Sequence, residues 1–485
     1  MSGSTRPLRL AVIGAGAGGI AAAIGLRDIG IRDVTIFEKA HDVGGTWRDN
    51  TYPGLACDVP SHLYRFSFAP NPDWSRRYSP GGEIQAYMKK VAAEFDVTPL
   101  VRFDNEVTAA RWDGGAWRIQ TTKGDQGSFD AVISAVGVLH HPVYPDIPGL
   151  ADFSGTAFHS ARWDHRVDLA GKRVGIIGTG STAVQILPAI VEDVAKVSLF
   201  QRTAQWILPE PNPPIREERK AAFRAEPALM AEQYERLAET FNGAFCAALV
   251  GDNPQWYDEM QTACQANLDT VGDGDLKARL TPHYRLGCKR LIVSDRFYPA
   301  IQSPNAELVT DTIVGIEPGG VRTADGRLHE LDVLVLATGF DPHHPMGRTQ
   351  VSGDGGQTLD EAWADGNVTY RAVGVPGFPN WFMLGGPYSP IGNFSFLMTL
   401  ERQLSYVLQL LGMLRAGEAR RIAPGRDATS AYYEAIKAKA GASIWASGCK
   451  SWYIDKLGNV ASYPWGYDVF EREMSRPVLA DFEIT

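Results

Sequence analysis

Apolar residues in this chain gather in short unbroken runs, and two of these runs lead straight into glycine-rich turns. Leu8-Arg9-Leu10-Ala11-Val12-Ile13 precedes Gly14-Ala15-Gly16-Ala17-Gly18-Gly19, and Arg173-Val174-Gly175-Ile176-Ile177 precedes Gly178-Thr179-Gly180-Ser181-Thr182-Ala183. A run without alternation predicts a parallel strand buried on both faces. An alanine-rich stretch follows each turn and predicts a helix. Val34-Thr35-Ile36-Phe37 and Val197-Ser198-Leu199-Phe200 predict the next strand of each unit. Two later runs, Phe129–Ser134 and Glu330–Leu336, end in Ala135-Val136-Gly137 and Ala337-Thr338-Gly339-Phe340-Asp341. They predict strands that return to a nucleotide-binding sheet. Pro209 to Leu280 lacks strand patterning and reads as charged amphipathic helices, a solvated cover or a lid. An apolar helix is predicted from about Ser395, after Gly385-Gly386-Pro387 and Asn393.

The two turns carry dinucleotide chemistry. In the first, Gly14 makes the tight turn, Gly16 lets backbone approach a pyrophosphate, and Gly19 lets helix pack on strand. The helix N-terminus offers free N–H groups and partial positive charge to phosphates. Glu38 ends the next strand about two dozen residues after the first glycine. A carboxylate there accepts from a ribose diol and repels a 2′-phosphate, so the site suits FAD or NAD. The second turn has alanine in place of its third glycine, and its strand ends in Gln201-Arg202-Thr203. A neutral residue beside an arginine fork suits a 2′-phosphate and selects NADPH.

Together these elements predict an α/β protein of two Rossmann-like dinucleotide-binding domains, the NADPH domain inserted in the FAD domain. Residues 1–150 are read as the first part of the FAD domain. Residues 151–336 are read as the NADPH domain, with a helical insertion at about 210–285. Residues 337–485 are read as the FAD return and a C-terminal substrate-pocket region. The proline-spaced stretch His141 to Gly149 is a candidate hinge.

Composition narrows the class. A formal net charge of -9 argues against nucleic acid or anionic membrane as partner, since both need clustered basic residues. The uncharged stretch from Leu10 to Leu26 is too short to cross a bilayer and has no cleavage pattern. Cys57, Cys246, Cys264, Cys288 and Cys449 are odd in number and scattered, which predicts neither a disulfide framework nor a zinc site. A cytoplasmic protein without metal is expected.

Between the two units lies Phe153-Ser154-Gly155-Thr156-Ala157-Phe158-His159-Ser160-Ala161-Arg162-Trp163-Asp164. It matches F-x-G-x-x-x-H-x-x-x-W-[P/D], the fingerprint of the Baeyer–Villiger monooxygenases. Gly45-Thr46-Trp47 followed by Tyr52-Pro53-Gly54 and Asp58, Gln201-Arg202-Thr203 with Trp206, and Gly287-Cys288-Lys289-Arg290 match further family stretches in order. Ser451-Trp452-Tyr453 with Gly458-Asn459 is similar to some branches. The chain thus resembles that family from residue 8 to about residue 400. The related flavin-containing monooxygenases carry a similar motif without the terminal tryptophan, so Trp163 directs the choice.

The resemblance implies FAD and NADPH as cofactors and a C4a-peroxyflavin that inserts oxygen beside the carbonyl of a small apolar ketone. It implies Arg290 as the catalytic cation, with Asp58 fixing it. Gly45, Thr46, Trp47, Asp58, Tyr64, Val107 and Asn393 would join Gly14, Gly16, Gly19 and Glu38 around FAD. Gly178, Gly180, Ser181, Thr182, Gln201, Arg202, Thr203 and Lys289 would hold NADPH. Phe153, Gly155, His159, Trp163 and Asp164 would serve the linker, with His159 structural. The helix from about Ser395 could stabilise charge on the flavin by up to about 1 kcal/mol. Without the resemblance, Lys289-Arg290 reads as a surface basic pair, Asp58 as a turn carboxylate, and Gly44 to Trp47 as a plain turn. Oxidation of sulfides or amines stays open as an alternative, as does a flavin-binding protein without turnover. A flavin disulfide reductase is excluded, because Cys57 has no partner cysteine near it in sequence. The ketone and the oligomeric state are not legible.

Overall fold

The computed structural model describes residues 7–448 and 450–485. Its two main sheets are each five-stranded. The first runs, in spatial order, Trp381–Met383, Ala131–Ser134, Arg9–Ile13, Asp33–Phe37 and Val101–Arg102, all parallel. The second runs Ala306–Val309, Lys196–Phe200, Arg173–Ile177, Val333–Leu336 and Thr156–His159, again all parallel. The apolar runs occupy the middle of each sheet, where both faces are covered: Leu10, Ala11, Val12, Val174 and Ile176 are fully buried. The last strand of the first sheet, Trp381–Met383, has three residues and was not among the predicted strands.

The helix Ala17–Asp28 is built largely of glycine and alanine, which lets a second helix approach closely. That partner is Phe396–Ala416, capped at Ser395. It buries Leu397, Leu400, Leu404, Val407, Leu411 and Leu414 in one stripe. A Cβ on Gly25 would lie 2.9 Å from Leu408. A separate four-stranded sheet of Gln350–Ser352, Val107–Trp112, Trp117–Thr121 and Gly124–Phe129 flanks the first unit. Phe129 therefore closes this sheet while Ala131–Ser134 joins the main one, so the single predicted run is two strands.

Two chain segments connect the sheets. They pair as a short antiparallel ribbon, with a bridge between Pro142 and Phe340. Val143 N–H donates to the Gly339 carbonyl at 2.9 Å and Asp341 N–H to the His141 carbonyl at 3.0 Å. Only the start of the candidate hinge, His141 to Val143, lies in this ribbon; further on, the Pro148 carbonyl accepts from Ile316 N–H at 2.8 Å.

From Glu217 to Leu280 the chain is helical, including a π-helical segment, Glu239–Phe245. The first of these helices, Glu217–Ala225, sets Phe223 edge-on to His62, ring centroids 4.7 Å apart. His62 is buried and neither ring nitrogen has a partner. Burial, and then the nearby Arg65 and Arg219, push its pKa down to about 4. Neutral imidazole is thus favoured in the fold, and the unfolded chain binds more protons below its ordinary pKa. Stability from this contact is fully present above about pH 6.5 and is lost as pH falls toward 4. His62→Phe keeps the ring packing and removes the titration. Its melting temperature should fall less than the parent's between pH 6.5 and 4; parallel curves would contradict this.

Among the described residues no helix is long and apolar enough to cross a membrane. Cys57, Cys246 and Cys264 are buried free thiols. Cys288 is disulfide-bonded, a link that its isolated place in the sequence did not reveal. Cys449 lies outside the described residues.

Candidate active site

Each glycine turn is shaped by contacts that a side chain would destroy. Gly14 has φ +99°, and a Cβ there would sit 2.7 Å from the Ala135 carbonyl oxygen. A Cβ on Gly19 would lie 1.9 Å from the Gly14 carbonyl oxygen, inside any tolerable contact. Gly16 approaches Gly45, with a Cβ-to-Cα distance of 3.6 Å, so the Gly44–Gly45 loop lies directly against the turn. Gly16 caps the helix with no side-chain hydrogen bond, which leaves the N-terminal amides for a ligand. Gly19→Ala must therefore displace the turn itself. Purified Gly19→Ala protein should carry less than about a tenth of the parent's flavin absorbance; an equal yellow yield would contradict the assignment of this turn.

Glu38 is buried at the strand end. One carboxylate oxygen accepts from Ala15 N–H at 2.8 Å, the other from Ala40 N–H at 2.9 Å. Arg48 reaches the second oxygen at 3.0 Å, with both side chains largely buried. Sequence reasoning passed over Arg48, although it directly follows the Gly45-Thr46-Trp47 stretch. Thr46 is exposed at the start of a one-turn helix, Thr46–Asp49. Trp47 Nε1 donates to the Tyr64 hydroxyl at 3.2 Å. Val107 is buried against the core of the flanking sheet, and its carbonyl accepts from Thr349 Oγ1 at 2.9 Å.

The second turn repeats the plan. Gly178 has φ +115°, and a Cβ would lie 2.3 Å from the Ala337 carbonyl oxygen. Gly180 faces open space and caps the helix Ser181–Ile190 without a side-chain bond. Thr182 lies beside the Tyr52 hydroxyl of the other half. Gln201 is tied down by its donation to the Arg279 carbonyl at 2.7 Å, and the Thr203 carbonyl accepts from Thr179 at 2.7 Å. Arg202 is exposed. Lys289 comes near enough for burial and then Arg202 to lower its pKa, and its ammonium lies 5.3 Å from the Tyr284 ring centroid. Neither cation has a carboxylate partner among the described residues. Two unneutralised cations side by side form a ready site for a phosphate.

Residues 52–58 bring the halves together. Tyr52 donates to Gln185 at 2.9 Å, Gln185 donates to the Ala56 carbonyl at 3.0 Å, and a Cβ on Gly54 would lie 2.3 Å from the Gln185 carbonyl. The segment ends at Asp58, which receives a fork from Arg290. Nε donates to Oδ2 at 2.8 Å and Nη2 to Oδ1 at 2.7 Å. The side chains are 30% and 21% exposed, so the pair is partly open to solvent. Burial opposes the charge on Arg290, but the Asp58 carboxylate holds its pKa above the ordinary arginine value. The result is a permanent cation whose Nη1 makes no bond to Asp58. Around it lie Cys57, Tyr64 and Tyr453, whose pKa values burial raises.

A family model described as FMO-like, flavin-binding monooxygenase-like, matches residues 7–212. A Baeyer–Villiger monooxygenase of Streptomyces coelicolor is 40% identical over 486 residues, covering 98% of this chain and 92% of the relative. This chain belongs to the Baeyer–Villiger monooxygenase family. Solved structures agree over their whole length. Cyclohexanone monooxygenase from Rhodococcus sp. Phi1 bound to NADP+ matches with a TM-score of 0.87 at 30% identity, covering 99% of both chains. OTEMO in complex with FAD and NADP matches at 0.89 and 27% identity, covering 99% of this chain and 100% of that one. The fold is the two-Rossmann α/β architecture of these enzymes.

In this Baeyer–Villiger chain the fingerprint forms the edge strand of the second sheet and the turn after it. Phe153 packs on the sheet, and a Cβ on Gly155 would lie 2.4 Å from the Asp332 carbonyl. His159 is buried; its Nδ1 accepts from Ala161 N–H at 3.1 Å, so Nε2 carries the proton toward the Gly339 carbonyl at 3.1 Å. Burial lowers its pKa, and the ring is fixed as a neutral strut on the linker ribbon. Trp163 sets its ring edge-on to Phe158 at 5.0 Å. Asp164 is occupied by Arg166 at 2.8 Å. Among the described residues, none of the Phe153, His159, Trp163 and Asp164 side chains makes a hydrogen bond, ion pair or ring contact with Arg290. Asn393 is fully buried beside the long helix N-terminus, donating to the Tyr463 carbonyl at 3.3 Å while its Oδ1 has no partner.

Proposed function

We propose that this chain is an FAD- and NADPH-dependent monooxygenase that converts a small apolar ketone to an ester or lactone, using one oxygen atom of O2. The observation that carries this reading is the Asp58–Arg290 fork, which joins the two nucleotide units through one fixed cation. Residues 1–150 and 337–485 make the FAD unit and residues 151–336 the NADPH unit. The Gly14–Gly19 turn is a cradle that a single Cβ would fill, and the orphaned Asn393 Oδ1 is a polar group awaiting a partner; both fit a flavin dinucleotide. FAD is held by that turn, Glu38, the Gly45–Trp47 stretch, Asp58, Tyr64, Val107 and Asn393. NADPH is held by Gly178, Gly180, Ser181, Thr182, Gln201, Arg202, Thr203 and Lys289. When bound, the flavin takes hydride from NADPH and activates O2.

The chain's own groups supply the rest. Arg290 keeps its charge at every working pH, offering Nη1 to negative charge on oxygen as it develops. Asp58 removes its freedom to turn away. Buried aromatic and thiol groups around the cation exclude water, which strengthens that stabilisation. His159 holds its proton on the ribbon and does not enter the reaction. Cytoplasmic NADPH is the expected reductant.

Product analysis over a panel of ketones and sulfides with NADPH tests the reading. Ester from at least one ketone is expected. Sulfoxides without any ester would move the chain to the flavin-containing monooxygenases, and a colourless protein that refuses FAD would end the proposal.

A further inference from the structure

Arg290 is gripped on two edges by Asp58, and the structure places a second group on its third. Tyr453 lies close enough to Arg290 for each to perturb the other electrostatically. Its hydroxyl oxygen lies 2.2 Å, and Arg290 Nη1 3.1 Å, from the point where a Cβ on Gly392 would stand. Gly392, with φ +95°, leaves the room in which the phenol and the guanidinium meet. Tyr453 is 3% exposed, and burial holds its pKa above the usual range, so it is a hydroxyl and not a phenolate. A guanidinium has no acceptor, so between these two groups Nη1 can only donate and the phenol oxygen accept.

The phenol is itself held firmly. Its ring stacks on Trp452, centroids 4.3 Å apart, and meets Trp445 at 5.5 Å. Tyr453 N–H donates to Ser451 Oγ at 3.3 Å, and its carbonyl accepts from Ala461 N–H at 2.7 Å. A bridge between Ile454 and Val460 closes the hairpin beyond it. Asp58 comes from the first unit, Arg290 from the second, and Tyr453 from the C-terminal segment. Three distant parts of the chain therefore converge on one guanidinium.

We propose that Tyr453 is a positioning residue for Arg290. With Asp58 on the inner edges and the phenol at Nη1, the cation keeps one orientation, and that orientation depends on the C-terminal segment being seated. This rests on the reading of Arg290 given above. A cation free to swing on the Asp58 hinge would meet the reacting oxygen only part of the time, and more of the activated oxygen would be lost as hydrogen peroxide.

The test uses Tyr453→Phe, which keeps the ring and removes the hydroxyl. In the FAD-loaded full chain, ester formation should fall about tenfold in kcat, with less than about a threefold change in the KM for ketone. NADPH should still be oxidised, with the peroxide share rising to match. In FAD-free protein, Tyr453→Phe should lower the melting temperature on the parent background and leave it unchanged on an Arg290→Met background. Tyr453→His, which retains a ring acceptor, should recover part of both effects. Equal melting shifts on the two backgrounds, or an unaltered peroxide share, would overturn the proposal and leave Tyr453 a packing residue. If the parent itself makes no ester from any ketone, the functional reading fails, while the melting coupling between Tyr453 and Arg290 still stands or falls by itself.

Discussion

Arg290→Ala will bind FAD like the parent and oxidise NADPH, yet ester formation will fall by at least about a thousandfold. Among the described residues, the Asp58 fork fixes this one guanidinium, at 2.6–2.8 Å. It makes no hydrogen bond or ion pair with either glycine turn among those residues, so its removal should spare the cradle that a flavin nucleotide would occupy. A lysine replacement will not rescue the loss, because a single ammonium cannot keep the two-edged grip on Asp58 while facing oxygen with a third donor. The measurement is a four-way balance of NADPH, O2, hydrogen peroxide and ester. Hydrogen peroxide should account for nearly all NADPH consumed. Ester yield per NADPH equal to the parent's would remove Arg290 from the chemistry.

The second large effect concerns coenzyme choice. Replacing both Arg202 and Lys289 by glutamine should lower kcat/KM for NADPH by about a hundredfold or more and leave NADH within a few-fold. Each charge-assisted contact to a 2′-phosphate contributes about 1.5–3 kcal/mol. Burial and Arg202 already lower the Lys289 pKa, a strain that a bound dianion would relieve. Raised salt should weaken the parent for NADPH more than for NADH. An unchanged NADPH-to-NADH ratio in the double variant would show that the 2′-phosphate sits elsewhere.

The parts of this molecule that were legible in sequence are those set by local rules. Unbroken apolar runs before Gly14 and Gly178 gave the central strands, because burial on both faces leaves no polar alternation. Glu38 and Gln201 stand at equivalent strand ends, so their contrast could be read without coordinates. Trp381–Met383 escaped notice because three residues carry too little pattern. The strands of the flanking sheet were hidden by register shifts near Val107 and Arg118, which break the alternation that marks a half-exposed strand.

The site divides in the same way. Asp58 and Arg290 were singled out by family resemblance, since nothing local distinguishes them from a turn carboxylate and a surface cation. Their fork spans 232 residues of sequence, and no spacing rule reaches that far. Arg48 needed the fold to show that it faces Glu38, and Tyr453 needed it to show that a C-terminal hairpin returns to Arg290. His62 carries no sequence signal at all; it is buried by Phe223 on a helix more than a hundred and fifty residues later.

Labelling with 18O2 tests the central claim most directly. With a ketone, NADPH and the FAD-loaded chain, the ester should carry one labelled oxygen, placed between the carbonyl and the migrated carbon, for each NADPH productively consumed. Ester or alcohol free of label, or label appearing solely in hydrogen peroxide whatever ketone is offered, would contradict oxygen insertion by this protein.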